Sequence, residues 1–352
     1  MKNKVFSIIF VLFLLIFSIL HIILPDNEVS YSERRKLKSF PEFKLSSEYI
    51  QSIESYLLDH FPFRDKFRSI KANYNYKVLN MLDNNNIYVK DNYIFKSDYP
   101  TNLKSIDNFV ININKTMNNF NDSNFYMMIV PDKNYYVRNE EYLNIDYDYL
   151  FNELDKIDIN NIHIRNILNI NDYYETDTHW KQENLDKIVN ELSNKLNFDY
   201  VNYEYQKNTY DKFYGVLYSE SGLSRKPENL IYLSNDIISN SSVKYLDNDK
   251  INTIYNIDKL KSTDSYEVFL DGASSYIEIY NNNISDKELI VFRDSFGSSI
   301  IPLLVPYYSK ITVIDNRYIN SDNYLKYIST NNQDVLFIYS TMLVNNSFSL
   351  KG

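Results

Sequence analysis

Four short apolar runs without polar alternation constrain what this chain can fold into more than any other feature of its sequence. They are residues 125–130 (FYMMIV), 288–292 (ELIVF), 311–314 (ITVI) and 335–339 (VLFIY). Continuous apolar strands are typical of a parallel sheet that is covered on both faces. The stretches between the last three runs are long enough for crossover helices. The runs therefore predict an α/β sandwich, a parallel sheet with helices on both sides.

Local periodicity predicts three further elements. Apolar residues recur every three or four positions over 101–120, which indicates an amphipathic helix. Residues 86–96 alternate between apolar and polar on both sides of a turn, as in a β-hairpin. A second hairpin is predicted from 266–270 and 276–280, appended to the sheet. No internal repeat and no clear linker follows Pro41, so we expect one globular domain.

The N-terminal segment predicts the compartment. Residues 5–24 contain no charged side chain and follow Lys2 and Lys4. A helix needs about 20 apolar residues to cross a bilayer, and a positive flank stays in the cytoplasm. A cleaved signal peptide is the alternative, but residues 19–26 (ILHIILPD) lack a small-x-small cleavage site. We predict a cytoplasmic tail over 1–4, an uncleaved transmembrane signal-anchor over 5–24, a membrane-proximal tether over 25–43 and a domain over 44–352 outside the cell membrane.

Composition excludes several classes of function. The chain has no cysteine, which rules out a thiol nucleophile, a thiolate metal site and disulfides. Its 37 basic and 46 acidic residues give a net charge of −9, so no basic surface for nucleic acid is expected. With five glycines, the chain has neither G-x-G-x-x-G nor a P-loop. The sequence contains no H-E-x-x-H motif or comparable ligand spacing, so we predict no metal site.

His179 is a candidate general base. It lies in the segment Glu175-Thr176-Asp177-Thr178-His179-Trp180, just before an amphipathic stretch. In an extended loop, residues two apart point to the same side, so Asp177 can lie beside the imidazole and hold its tautomer. The alternative is a capped helix start, with Asp177 or Thr178 as the N-cap.

Ser295 is the matching candidate nucleophile. It directly follows the apolar run 288–292 and precedes a stretch that can open a helix. A serine at the carboxyl end of a parallel strand is exposed at the crevice where such sheets bind ligands. An N-cap role is again the alternative. The G-x-S-x-G pattern is not met, because Arg293 occupies the position of its first glycine.

Taken together and in order, these segments resemble the SGNH-like acetyltransferases of the alginate O-acetylation type and the related DHHW family proteins. The resemblance covers nearly the whole chain. Thr178 stands at the second position of the DHHW signature, which matches the alginate type. The other matching segments are Glu33-Arg34-Arg35-x-Leu37, Phe40-Pro41, Asp59-His60-Phe61-Pro62-Phe63-Arg64, Val130-Pro131-Asp132-Lys133, Phe213-Tyr214-Gly215, Asp294-Ser295-Phe296 and Asp315-Asn316-Arg317-Tyr318.

The resemblance implies an SGNH-hydrolase-like (flavodoxin-like) α/β fold and a membrane-anchored enzyme that O-acetylates polysaccharide outside the cell. Ser295 would be the nucleophile, His179 the general base and Asp177 its orienting partner. No cofactor is implied. Lys133, at a matching position, would have a structural role.

Four more residues are candidates for substrate binding or for an oxyanion hole. Arg317 matches a family arginine near the active site, although a surface ion pair with Asp315 is the alternative. Tyr339 is a candidate for the pocket wall, with core packing as its alternative. Gly297 is a candidate oxyanion donor, as is Gly215.

The implied reaction requires an acetyl donor outside the cell, where acetyl-CoA is lacking. The resemblance implies a membrane-bound O-acyltransferase as the partner that passes acetyl groups across the bacterial membrane, with a polysaccharide as the acceptor. Two alternatives stay open. One is a carbohydrate acetyl esterase that uses the same triad with water, and the other is a non-catalytic polysaccharide-binding envelope protein.

Overall fold

The computed structural model describes residues 2–30, 33–79, 81, 83, 86–138, 142–281, 287–330 and 332–351. The chain divides into two compact units, Met1–Asn84 with Tyr218–Arg225, and Asn85–Leu217 with Lys226–Gly352. The segment boundaries predicted at residues 4, 24 and 43 stay a prediction.

The first unit begins with one long apolar helix, which over Lys4–Ile23 is long and apolar enough to cross a membrane. Charged residues organise the segment after this helix, where Glu33 accepts hydrogen bonds from Arg35 and Arg64. Arg35 also donates two to Asp59, which lowers the pKa of this carboxyl to about 2. The elements are α1 (Lys2–Ile23), β1 (Val29–Ser30), β2 (Arg35–Lys36), α2 (Ser47–Asp59) and α3 (Arg64–Lys77).

The second unit contains the sheet and its covering helices. Its helices are α4 (Leu103–Met117), α5 (Tyr147–Leu154), α6 (Asp186–Leu196), α7 (Val216–Ser221, whose end from Tyr218 belongs to the first unit), α8 (Asp236–Ser239), α9 (Gly297–Leu304), α10 (Ser321–Tyr324) and α11 (Thr341–Val344). Its strands are β3 (Ile87–Lys90), β4 (Tyr93–Lys96), β5 (Asn124–Val130), β6 (Asn160–Ile162), β7 (Gln206–Phe213), β8 (Glu228–Ser234), β9 (Ser242–Tyr245), β10 (Tyr276–Tyr280), β11 (Glu288–Arg293), β12 (Lys310–Ile314) and β13 (Asp334–Ser340).

Seven strands form the central sheet, in the order β6-β5-β13-β11-β12-β10-β9. The first five are parallel, while β10 pairs antiparallel with both β12 and β9. The four apolar runs are therefore neighbouring parallel strands, as predicted. In β11, Leu289 and Val291 pack into one core and Ile290 and Phe292 into the other, so both faces are buried. This two-sided burial explains why the strands lack polar alternation.

The remaining predicted elements had different outcomes. The helix predicted over 101–120 is confirmed by α4, which Asn102 caps by accepting a hydrogen bond from the Ser105 N–H. The hairpin predicted over 86–96 is confirmed by the antiparallel pair β3 and β4. The second hairpin is wrong in its first half, because Ser265–Val268 form a 3₁₀ helix capped by Asp264. Its second half, β10, finds its antiparallel partners in β9 and β12 instead.

Candidate active site

Ser295 lies at the carboxyl end of β11, the central strand of the sheet. The turn that carries it is fixed by Asp294, whose carboxylate accepts hydrogen bonds from the N–H groups of Phe296 and Ser340 at 3.0 and 2.8 Å. The Asp294 N–H donates to the carbonyl of Ile338 in the neighbouring β13 at 3.1 Å. Two hydrogen bonds thus attach the turn to β13, and Ser295 itself stays partly exposed.

The structure brings His179 and Asp177 to this serine in a continuous hydrogen-bonded chain. The Nε2 atom of His179 lies 2.8 Å from the Oγ atom of Ser295, and its Nδ1 atom lies 2.6 Å from Oδ1 of Asp177. The His179 side chain is 13% exposed, and that of Asp177 is 1% exposed. This arrangement lets the imidazole take a proton from the serine while the buried carboxylate holds the opposite ring nitrogen.

The N-cap alternatives for these residues are wrong. Helix α6 begins at Asp186 with Leu185 as its N-cap, well after Asp177 and Thr178. Helix α9 has Phe296 as its N-cap and no capping side chain. Neither Asp177 nor Ser295 therefore caps the helix that comes after it.

Asp177 uses both carboxylate oxygens. Oδ1 also accepts from the backbone N–H of His179 at 3.0 Å, and Oδ2 accepts from the N–H of Val216 at 2.8 Å. Gly215 allows this close approach, because a Cβ atom there would lie 2.3 Å from the carbonyl oxygen of Thr176. The carboxylate is therefore fixed by donors from two segments, its own loop and the start of α7.

An aromatic ring that sequence analysis did not identify supports the imidazole. Tyr266 stacks on His179 with ring centroids 3.9 Å apart and an angle of 9° between the planes. Its hydroxyl donates to Ser299 Oγ at 2.9 Å, and the Trp180 indole N–H reaches the same oxygen at 2.9 Å. The stacked face restricts rotation of the imidazole out of line with Ser295. Tyr266 lies in the segment misassigned to a hairpin, so no sequence pattern pointed to this contact.

Lys133 fixes the loop that carries Asp177. Its buried ammonium donates to the carbonyls of Tyr174, Glu175 and Asp177 at 3.0, 3.2 and 2.7 Å. Lys133 binds the carbonyl groups of this loop, whereas the carboxylate of Glu228 binds its N–H groups. It accepts hydrogen bonds from the N–H groups of Glu175 and Thr176, both at 2.7 Å. Burial lowers the pKa of Lys133 to about 7, against the opposing effect of nearby carboxylates, chiefly Asp177.

Lys133 should consequently make the stability of the chain depend on pH. Because the folded chain holds this proton more weakly than the unfolded chain, the unfolded chain binds more protons from about pH 7 up to the ordinary pKa of lysine, 10.5. We expect the free energy of unfolding to rise with pH in this window, by up to about 1.4 kcal/mol per pH unit relative to Lys133→Met. Below pH 7, where Lys133 is charged in both the folded and the unfolded chain, the cost of burying its charge lowers the free energy of unfolding by its full amount.

Urea denaturation of the detergent-solubilised chain at pH 7 and pH 9 would measure this difference. Lys195→Met, at an exposed position of α6, is the matched control and should keep the wild-type slope. A Lys133→Met protein with the same pH dependence as the wild type would contradict the expectation.

Arg317 forms the ion pair that was its alternative assignment. Its Nε and Nη2 atoms donate to the fully buried Asp315 at 2.8 and 2.6 Å. Asp315 also lies 3.3 Å from the guanidinium of the buried Arg293. Although burial disfavours its charge, hydrogen bonding to Asp315 raises the pKa of Arg317 above its ordinary value. Arg317, three residues after the end of β12, is therefore engaged in an ion pair with a buried carboxylate, and a substrate-binding role stays a prediction.

The structure corrects the predicted roles of three other site residues. Tyr339 is fully buried, donates to Asn316 Oδ1 at 2.8 Å and packs edge-on against Phe109, so core packing describes it. The amide of Gly297 donates to the Asp294 carbonyl at 3.1 Å inside the turn, and that of Gly215 donates to Thr176 Oγ1 at 3.1 Å. Both amides are thus used within the protein and are not directed at an oxyanion.

Among the residues that the structure describes, no group of three or more His, Asp or Glu side chains is placed to hold a metal ion. The backbone N–H of Ser295 makes no hydrogen bond to any described residue.

Several known proteins are similar to this chain. Residues 147–314 match the model of the DHHW protein family. No curated protein sequence matches the chain. A solved structure of a DHHW family protein from Eubacterium siraeum is similar, with a TM-score of 0.63 and 17% identity over 76% of this chain and 95% of that one.

Two solved structures of PatB1 from Bacillus cereus are also similar. The one with a sulfonyl adduct has a TM-score of 0.58 and 20% identity, over 73% of this chain and 97% of that one. The one without it has a TM-score of 0.58 and 19% identity, over 74% and 97%. At identities this low, the structural similarity establishes a shared fold and nothing further. The family match and the shared fold confirm the resemblance and the α/β fold that the sequence motifs predicted.

Proposed function

We propose that this chain is a membrane-anchored O-acetyltransferase, which transfers acetyl groups to hydroxyls of a polysaccharide outside the cell through Ser295, His179 and Asp177. The observation that carries the proposal is the hydrogen-bonded chain from Asp177 through His179 to Ser295, with links of 2.6 and 2.8 Å. The fold shared with PatB1 and with a DHHW family protein supports it.

In the first half of the reaction, Nε2 of His179 takes the proton from Ser295 as Oγ attacks the acetyl carbonyl of the donor. The intermediate collapses by expelling the donor oxygen, which receives that proton, and leaves an acetyl-serine. The backbone N–H of Ser295 is our candidate donor to the oxyanion, since no described residue uses it.

In the second half, a sugar hydroxyl takes the place of the donor oxygen. His179 removes its proton, the oxygen attacks the acetyl-serine, and Ser295 regains its proton as the new ester leaves. Asp177 stabilises the imidazolium formed in both halves, and the stacked ring of Tyr266 keeps the imidazole in line.

The anchor gives this reaction its location. Over Lys4–Ile23, α1 is long and apolar enough to span a membrane, and Lys2 and Lys4 flank its N-terminal end. Positive flanks stay in the cytoplasm, so the proposal places the remainder of the chain outside. There it would receive acetyl groups from a membrane-bound O-acyltransferase.

Covalent labelling tests the proposal. A sulfonyl fluoride and a fluorophosphonate should modify the wild-type chain at Ser295, as located by mass spectrometry. His179→Ala should slow labelling by roughly 10²–10⁴-fold, because the serine loses its general base. His163→Ala is the matched control, because that histidine is 54% exposed and 4.0 Å from Asp155. It should label at the wild-type rate.

Each outcome has a definite meaning. A wild-type chain that neither probe modifies would overturn the triad and favour a polysaccharide-binding protein. If Ser295 reacts with the probes, but unlabelled enzyme supplied with an acetyl ester passes the acetyl group to water and not to a glycan hydroxyl, the chain would be a carbohydrate acetyl esterase.

A further inference from the structure

Helix α3 of the first unit carries a line of large apolar side chains on its surface. Phe67, Ile70, Tyr74 and Val78, which directly follows the helix, are 43%, 64%, 51% and 62% exposed. Spacings of three and four residues place them on one face of the helix. We call these four residues the α3 stripe.

The other face of α3 is occupied within the same unit. Arg68 donates to the carbonyl of Ser219 at 2.9 Å and lies 3.3 Å from the carboxylate of Glu33. Ala72 is 2% exposed and lies against Gly222. The helix is therefore oriented by these contacts, and this orientation leaves the stripe outward.

Contacts with α1 set the depth of the helix relative to a membrane. Phe17 of α1 stacks on Phe61 with ring centroids 5.3 Å apart and lies 5.9 Å from the ring of Phe67. Since Phe17 is six residues before the end of α1 at Ile23, it lies about 9 Å inside the end of the helix. If α1 spans the bilayer, the rings of Phe61 and Phe67 must reach the same depth.

The charge of α3 also fits a lipid surface. The helix has five basic residues and one acidic residue, a net charge of +4 in a chain of −9. By helical spacing, Lys71 lies on one side of the stripe, and Lys66 and Lys77 lie on the other. Lysines that flank an apolar face extend their ammonium groups to lipid phosphates while their methylene stems stay in the interface.

We propose that the α3 stripe lies in the boundary between headgroups and acyl chains of the bilayer that α1 spans, so that the first unit contacts the membrane through a second, interfacial helix. The inference rests on the proposed anchor. The four exposed apolar residues, the basic flanks and the aromatic contact with a residue inside the span all point to lipid as the partner.

Depth-dependent fluorescence quenching tests this directly, because the chain has no cysteine and each introduced cysteine is a unique labelling site. Full-length Ile70→Cys and Tyr74→Cys, carrying an environment-sensitive dye, would be reconstituted in vesicles of phosphatidylcholine and phosphatidylglycerol. Asp65→Cys is the matched control on the opposite side of α3, 61% exposed. Leu12→Cys reports on α1 itself.

We expect nitroxide lipids labelled near the headgroup to quench the dyes at 70 and 74 at least about threefold more than the dye at 65, and aqueous iodide to do the reverse. Lipids that carry the nitroxide deep in the acyl chain report on position 12. Quenching there, without headgroup quenching at 70 and 74, would overturn the interfacial helix while leaving the anchor in place. Dyes at 70 and 74 that are shielded from both quenchers would show a protein partner or a second copy on the stripe, which also overturns the proposal. Absence of lipid quenching at all positions would remove both the anchor and the stripe. Labelling of Ser295 reports separately on the chemistry.

Discussion

Ser295→Ala should abolish acetyl transfer while the chain stays folded. Without Oγ there is no acetyl-serine, and deleting one member of such a triad lowers kcat by about 10⁶-fold in a well-studied serine hydrolase. The structural cost is small, because the side chain is partly exposed and, among the described residues, its hydrogen bond is the one to His179. Losing that bond should lower the free energy of unfolding by about 1 kcal/mol or less.

The measurement is transfer from a soluble acetyl ester to an oligosaccharide, followed by mass spectrometry of the acetylated product. Ser349→Ala, an exposed serine of the same unit, is the matched control and should transfer at the wild-type rate. Circular dichroism and the unfolding midpoint separate loss of chemistry from loss of fold. Transfer by Ser295→Ala above a tenth of the wild-type rate would exclude a covalent route through this serine.

The sequence was sufficient for the sheet because its strands are buried on both faces. A short, fully apolar run such as 335–339 fits a strand that is buried on both faces of a sheet. The residue that follows such a strand lies at the carboxyl edge of the parallel sheet, where ligands bind. Ser295 was found in this way. The two-residue spacing of Asp177 and His179 also completed the chain of hydrogen bonds, although residues 175–179 form bends and not the extended loop that the prediction assumed.

Contacts between distant segments were not predictable in the same way. Tyr266 supports His179 only because a 3₁₀ helix replaces the strand that its alternating neighbours suggested. Gly297 looked like an oxyanion donor, but a turn that closes on Asp294 uses its amide. The structural role of Lys133 comes from hydrogen bonds to three carbonyl groups of one loop. Because every residue has a backbone carbonyl, the sequence does not show which of them a lysine will bind.

The first unit shows the same limit on a smaller scale. The charged segment at Glu33 was visible in the sequence, whereas its partners Asp59 and Arg64 were not assigned to it. Helix α3 was missed because its low overall hydrophobicity hides four apolar residues among five basic ones. A period of three and four, with basic residues on both flanks, was the signal that could have identified it.

Asp177→Asn should have the second-largest effect, with almost no change in shape. Every hydrogen bond that Asp177 accepts from the described backbone and from His179 comes from an N–H group: ring and backbone of His179 at Oδ1, and Val216 at Oδ2. An asparagine must place its NH₂ group against one of these donors. If it faces the ring, the imidazole must change tautomer and accept at Nδ1.

That change removes the base. With its proton on Nε2, His179 cannot accept the proton of Ser295, and we expect the rate of transfer to fall by about 10⁴-fold, as for the same substitution in a serine protease triad. If the NH₂ group faces Val216 instead, the loop loses a bond that holds Asp177 in place, and the unfolding midpoint should fall together with the rate. Transfer rate and unfolding midpoint, measured on the same samples, therefore distinguish the two orientations.

Asp155→Asn is the matched control, since that carboxylate lies 4.0 Å from His163 in an exposed pair, and it should change neither quantity. An Asp177→Asn enzyme within tenfold of the wild-type rate would mean that Tyr266 and the hydrogen bond to Ser295 hold the imidazole without the carboxylate, and the site would then operate as a Ser-His dyad.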